Sequence, residues 1–154
     1  MANQKRCLDA HLAQLISTPD VDIDDKRLSE KAVAFFRDSA SVDCDLMVPQ
    51  FFWVQVESLF QRRRLMPADE GGLDAEEIAR AIVWLRQCTQ TTPDDSLFLR
   101  ARSLAQDLHR PHIYETIYMA LAQMNNCDLW TGDEELVKGV GGKLPFVKFI
   151  GDYY

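Results

Sequence analysis

The sequence predicts an α/β protein, a mainly parallel sheet with helices on both faces, and three observations carry that expectation. Short apolar runs alternate with longer segments of helical periodicity, the order that builds right-handed βαβ units. The segment Ile113 to Asn125 is apolar on almost every side, which marks a helix buried between other elements. A length of 154 residues with 47% hydrophobic content fits a single domain, 1–154, with a full core.

Taken in order, Lys5 to Leu8 is a short mixed run that suits a strand, and Asp9 sits at its carboxyl end ahead of the helical repeat Leu12, Leu15, Ile16. Pro19 to Asp25 is polar and turn-rich, after which Leu28, Ala32, Phe35 and Phe36 return to helical spacing. Asp45 to Val48 is the second strand, closed by Pro49. Phe51 to Arg64 is an amphipathic helix, Pro67 to Gly72 a breaker, and Leu73 to Arg86 a helix opened by acidic residues. A helix from Asp95 to Leu108 ends before His109, Arg110 and Pro111, and the apolar helix from Ile113 follows. Cys127 to Trp130 is a strand, Asp133 to Val140 a short helix and Pro145 to Ile150 the last strand. Gly139, Gly141 and Gly142 form a flexible turn without the order of a phosphate-binding loop.

Composition excludes several classes. No apolar run approaches the roughly 18 residues needed to cross a bilayer, and Met1 to Asp9 carries Asn3, Gln4, Lys5 and Arg6 rather than a leader's apolar stretch. A protein that stays in the cytoplasm is expected. Cys7, Cys44, Cys88 and Cys127 form no C-x-x-C pair and the three histidines add no zinc-like spacing, so reduced thiols in the core are expected. A net charge of -7 opposes indiscriminate nucleic-acid binding unless basic patches or bound cations reverse the local field.

Four polar positions stand out. On the helix Phe51 to Arg64, Gln55 falls within the arc of Phe51, Phe52, Val56 and Leu59, while Glu57 points away beside Gln61 and Arg64. An inward Gln is either a hydrogen-bonded core amide or a ligand. Glu115 is the lone acid of the Ile113 to Asn125 segment, and burying it ionised costs several kcal/mol without a partner. It either faces a cation, caps the helix or pairs with an Arg. Asp9 and Asp133 each follow a strand and precede a helix, which suits an N-cap. Where their strands lie close together, both acids enter one crevice near Glu115, and a hard divalent cation relieves their repulsion.

Several blocks resemble the PIN-domain family, in particular VapC-type toxins of bacterial toxin and antitoxin pairs. They are Cys7-Leu8-Asp9-Ala10, the run Val48 to Val56, the run Tyr114 to Ala122, Leu129-Trp130-Thr131-Gly132-Asp133 with the acids that follow, and Phe146 to Tyr153. The likeness spans nearly the whole chain. It implies a three-layer α/β/α sandwich with about five parallel strands and an acidic pocket for Mg2+ or Mn2+. The family's four acidic positions fall on Asp9, Gln55, Glu115 and Asp133. Asp9 and Asp133 match in kind, Glu115 replaces the usual Asp on a longer arm, and Gln55 replaces the usual Glu without its charge. His11 stands where a small hydroxyl residue is common.

The resemblance implies a metal-dependent endoribonuclease acting as a toxin, a homodimer held silent by a cognate antitoxin that inserts a basic side chain into the pocket. Asp9, Asp133 and Glu115 would hold the metal, Glu115 or Gln55 would assist, and Thr131 would hydrogen-bond nearby. Arg62, Arg63, Arg64 and Arg110 would gather the RNA. With Gln55 uncharged and Glu115 longer, weaker metal binding and reduced activity are expected, one ion where relatives hold two. A catalytically inactive PIN fold that binds protein or RNA is the alternative.

Overall fold

Backbone pairing joins five short segments into one sheet. A computed structural model describes residues 3–17 and 23–154, with the side chains of 26–154 in the second segment. Its strands are β1 (Lys5–Leu8), β2 (Asp45–Pro49), β3 (Cys88–Thr91), β4 (Leu129–Thr131) and β5 (Val147–Phe149), all parallel in the order β3-β2-β1-β4-β5. The described helices are α1 (Ala10–Ser17), α2 (Ile23–Ser41), α3 (Phe51–Arg64), α4 (Ala75–Leu85), α5 (Asp95–Asp107), α6 (Thr116–Met124) and α7 (Glu134–Val140). Together they make a three-layer α/β/α sandwich.

The central strand is β1, whose Cys7 lies between Met47 of β2 and Leu129 of β4. From β1 the chain crosses to β2, whereas from β4 it crosses the other way to β5. Such a reversal opens a crevice at the carboxyl ends of the two strands, the usual ligand position in an open parallel sheet. On α6 every residue from Thr116 to Ala122 is buried, as its apolar circumference requires, and the helix packs on α5, β1 and β2.

Several boundaries differ from the expectation. The edge strand β3 was not among the expected strands, because Cys-Thr-Gln-Thr has an exposed polar middle and no apolar alternation. Of the expected turn at Pro19 to Asp25, the first residues lie outside the described ones, and Ile23–Asp25 already belong to α2. Regular α6 begins at Thr116 rather than Ile113. Gly139 lies inside α7, with the turn beginning at Gly141. The cysteines are free thiols, but only Cys7 is fully buried. Burial pushes the thiol of Cys88 up to about 12 and is the main cause that takes Cys127 to about 11, so both stay protonated.

Three helices end in the same way without glycine. Asp43, His109 and Asn126 adopt φ of 51°, 53° and 52°, just beyond α2, α5 and α6. After α5, the His109 N–H donates to the Gln106 carbonyl at 3.2 Å and the Arg110 N–H to the Ala105 carbonyl at 2.8 Å. Asn126 and Cys127 repeat this on Gln123 and Ala122, and Cys44 donates to Ser39 after α2. These bonds satisfy the last carbonyls and turn the chain sharply. Asn, Asp and His are the side chains found most often in the left-handed region, but exposed His109 lacks the short local hydrogen-bonding side chain that eases Asn and Asp there and keeps the Cβ cost that glycine avoids. His109→Gly is therefore expected to stabilise the fold by about 1 kcal/mol, raising Tm by about 3 °C. A circular-dichroism melt checks this, and a lower Tm refutes it.

Candidate acidic site

Asp9 directly follows β1, and Asp133 follows β4 after Gly132. Because the two strands are adjacent, the Asp9 N–H donates to the Trp130 carbonyl at 3.3 Å and the residues after both strands turn into one crevice. Gly132 keeps this turn tight against α1, since a Cβ there would stand 2.9 Å from Leu15 Cδ1 and 3.0 Å from His11 Nδ1. Both acids also serve their helices. Asp9 Oδ1 accepts from the His11 N–H at 3.1 Å, and Asp133 Oδ1 caps α7 by accepting from the Leu136 N–H at 3.0 Å.

Thr131, fully buried at the end of β4, links the pair. Its hydroxyl donates to the Asp9 carboxylate, while its oxygen accepts from the Asp133 N–H at 3.1 Å. Asp9 keeps some surface in the cavity but is otherwise enclosed by protein. Burial is the main cause that raises its carboxyl pKa above the ordinary value. The Thr131 hydrogen bond and then His11 oppose that rise, and the charge of Asp133 adds to it. The cavity, of about 220 Å³, is also lined by His11, Gln55, Glu115 and Tyr118.

Gln55 points inward from α3 as its arc predicts, and Glu57 is exposed. The Gln55 amide oxygen accepts a hydrogen bond from the Tyr118 hydroxyl, leaving its N–H groups as the donors toward the cavity. Tyr118 was missed as a site residue. It lies three residues after Glu115, a helical spacing that places both on one face of α6 and could have revealed it. Burial, followed by the charge of Asp9, raises its pKa, so the hydroxyl stays protonated as a donor.

Glu115 departs from the expectation most. It precedes the first residue of α6 with no side-chain cap, and its side chain is 43% exposed rather than buried. Its carboxylate pairs with Arg110 at 3.1 Å, so it lines the cavity already neutralised instead of completing a three-acid cluster. Of the expected RNA-gathering residues, only Arg110 reaches this region. Arg62 and Arg64 are exposed at the far end of α3, and Arg63 donates to the Gly71 carbonyl at 3.4 Å; none of the three lines the cavity.

The chain matches no model of a known protein family, and no curated protein matches it. The likeness to PIN domains therefore rests on the residues and their order. Among the described residues, no group of three or more His, Cys, Asp or Glu side chains converges so as to hold a metal ion. What remains is a pair of half-buried carboxylates in one open cavity, with a raised Asp9 pKa. That donor set fits a small hard cation such as Mg2+, which takes one or two carboxylates and keeps most of its water.

The raised pKa has a testable sign. A carboxyl whose folded pKa exceeds its unfolded value makes the folded state bind the proton more readily, so stability falls as pH rises from about 4 through the folded pKa. Asp9→Asn keeps the acceptor for His11 and removes the charge. In EDTA the variant is expected to melt above the wild type at about pH 7, the gap closing toward pH 4. Melts across that range check this, and a variant that melts lower at pH 7 overturns it.

Proposed function

We propose that this chain is a metal-dependent endoribonuclease of PIN type working with a reduced acidic site. One observation carries the reading: Asp9 and Asp133 share a cavity at the carboxyl ends of adjacent parallel strands, joined through Thr131. In this reading Asp9 and Asp133 hold Mg2+ or Mn2+, and Thr131 fixes their orientation. The bound ion supplies charge stabilisation for the phosphoryl oxygens and a more acidic water. The Gln55 amide N–H groups and the Arg110 guanidinium donate to the RNA phosphate, while the protonated Tyr118 hydroxyl holds Gln55 in place.

In the same reading the protein works in the cytoplasm as the toxin of a two-component module, a homodimer silenced by a cognate antitoxin whose basic side chain enters the cavity. Among the described residues no helix is long and apolar enough to cross a membrane. Growth arrest on expression, relieved by an adjacent reading frame, tests the toxin role. The second reading, an inactive PIN fold that binds protein or RNA, is favoured by the uncharged Gln55 and by the Arg110 to Glu115 pair, which neutralises a third acid.

RNA cleavage with Mg2+ or Mn2+ separates the two. The wild type is expected to cut slowly, Asp9→Asn to lose on the order of a hundredfold, and Gln55→Glu to gain about tenfold, because the carboxylate's attraction for the ion outweighs the amide donor lost to the phosphate. Activity confined to Gln55→Glu, or none in any variant, favours the binding module. Mn2+ is likewise expected to raise the wild-type Tm but not that of Asp9→Asn. Equal shifts in both proteins would remove Asp9 from the metal site.

A further inference from the structure

Beside the acidic cavity lies a second hollow, of about 260 Å³, lined by Arg110, Pro111, His112, Tyr114 and Glu115. The two hollows share Tyr114 and Glu115 and so form one continuous surface. Tyr114 and His112 line it, and Phe51 backs Tyr114 from behind. Phe51, at the start of α3, stacks on Tyr114 with centroids 5.6 Å apart and an interplanar angle of 22°. His112 lies against the same Tyr114 at 5.3 Å and 39°. Tyr114 is 56% exposed, and His112 is exposed as well.

Single exposed aromatics are ordinary, but an exposed ring held by neighbours on an ordered turn is unusual in having lost its freedom in advance. The loop is anchored at both ends, by the hydrogen bonds of His109 and Arg110 to α5 and by the Thr116 hydroxyl, which donates to the Ala101 carbonyl at 2.9 Å. Arg110 spends one nitrogen on Glu115, and its other terminal nitrogen lies over Gly139 of α7. A guanidinium carries five N–H donors, so donors remain for a phosphate oxygen.

We propose that Tyr114 and His112, backed by Phe51 and flanked by Arg110, form a base-stacking subsite for single-stranded RNA. The subsite rests on the ribonuclease reading for its position, next to the cavity where the phosphodiester would sit. Unpaired bases present free π faces to aromatic side chains, whereas bases within a duplex are already stacked. With a net charge of -7, long-range electrostatics oppose RNA binding, and affinity depends on stacking and on the few phosphates near Arg110. A shallow salt dependence is expected, with a slope of about -0.7 for each phosphate contacted.

The test reads binding rather than cleavage. Fluorescence anisotropy of a labelled single-stranded dodecaribonucleotide is measured with the wild type in EDTA, and then with Tyr114→Ala, Tyr114→Trp and His112→Ala, each shown to be folded by its melt. Tyr114→Ala is expected to weaken binding about tenfold, with Tyr114→Trp retaining it and duplex RNA bound no better than by Tyr114→Ala. Unchanged affinity in Tyr114→Ala, or equal affinity for single-stranded and duplex RNA, overturns the subsite. Tyr114-dependent binding by a protein that cuts no RNA with any ion supports the subsite and removes the nuclease reading. Cleavage by the wild type with binding unaffected by Tyr114→Ala removes the subsite alone. No RNA binding at all overturns it and leaves the rings to a protein partner.

Discussion

The parallel pairing of β1 with β4 decides where chemistry can occur in this chain. Strands that run side by side and then depart in opposite directions leave a gap between their connections, and the first polar residues after each strand face into it. Asp9 and Asp133 arrive there through short turns with backbone duties of their own, so neither can swing away without losing a hydrogen bond to α1 or α7. The buried hydroxyl of Thr131 ties the two turns together. The closeness of the acids is thus built into the backbone, but the raised pKa of Asp9 comes first from its burial, and the charge of Asp133 adds only the smallest part.

Two pairs among the remaining polar groups around the cavity are already matched, whereas His11 Nδ1 is buried there without a hydrogen-bond partner among the described residues. Arg110 and Glu115 compensate one another, and because both are more than a third exposed, solvent screening leaves the pair little weight in stability. Its consequence is local: the charge that could have joined Asp9 and Asp133 is spent on the rim. Gln55 and Tyr118 satisfy each other across α3 and α6, fixing an amide where a carboxylate would have deepened the negative potential. The cavity therefore concentrates its charge in two residues rather than four.

The rim depends on how α5 ends. A left-handed His109 lets Arg110 fold back on Ala105, and the following residues cross to α6 with Tyr114 set against Phe51. At the other end of the chain, Arg6 lies under the rings of Phe35 and Tyr153 at 5.4 and 5.7 Å and donates to Ser39 and to the Tyr153 hydroxyl, each at 3.0 Å. The Tyr153 hydroxyl in turn donates to Asp38 at 2.9 Å. This closes the sheet's β5 side onto α2 without involving the acidic crevice.

Much of this was legible in the linear order of residues. The α/β alternation, the strand-end placement of Asp9 and Asp133, the inward Gln55 and the outward Glu57 all follow from local periodicity, which short-range sterics and helix geometry impose wherever the segment folds. Strand β3 was not legible, because a polar edge strand owes its conformation to pairing with β2 rather than to its own pattern. Nor were the choice of Arg110 by Glu115, the bond from Tyr118 to Gln55 across 63 residues, or the stacking of Phe51 on Tyr114. These depend on strand order and helix packing, which bring distant side chains within reach, and a spacing along the chain carries no record of which neighbour is met.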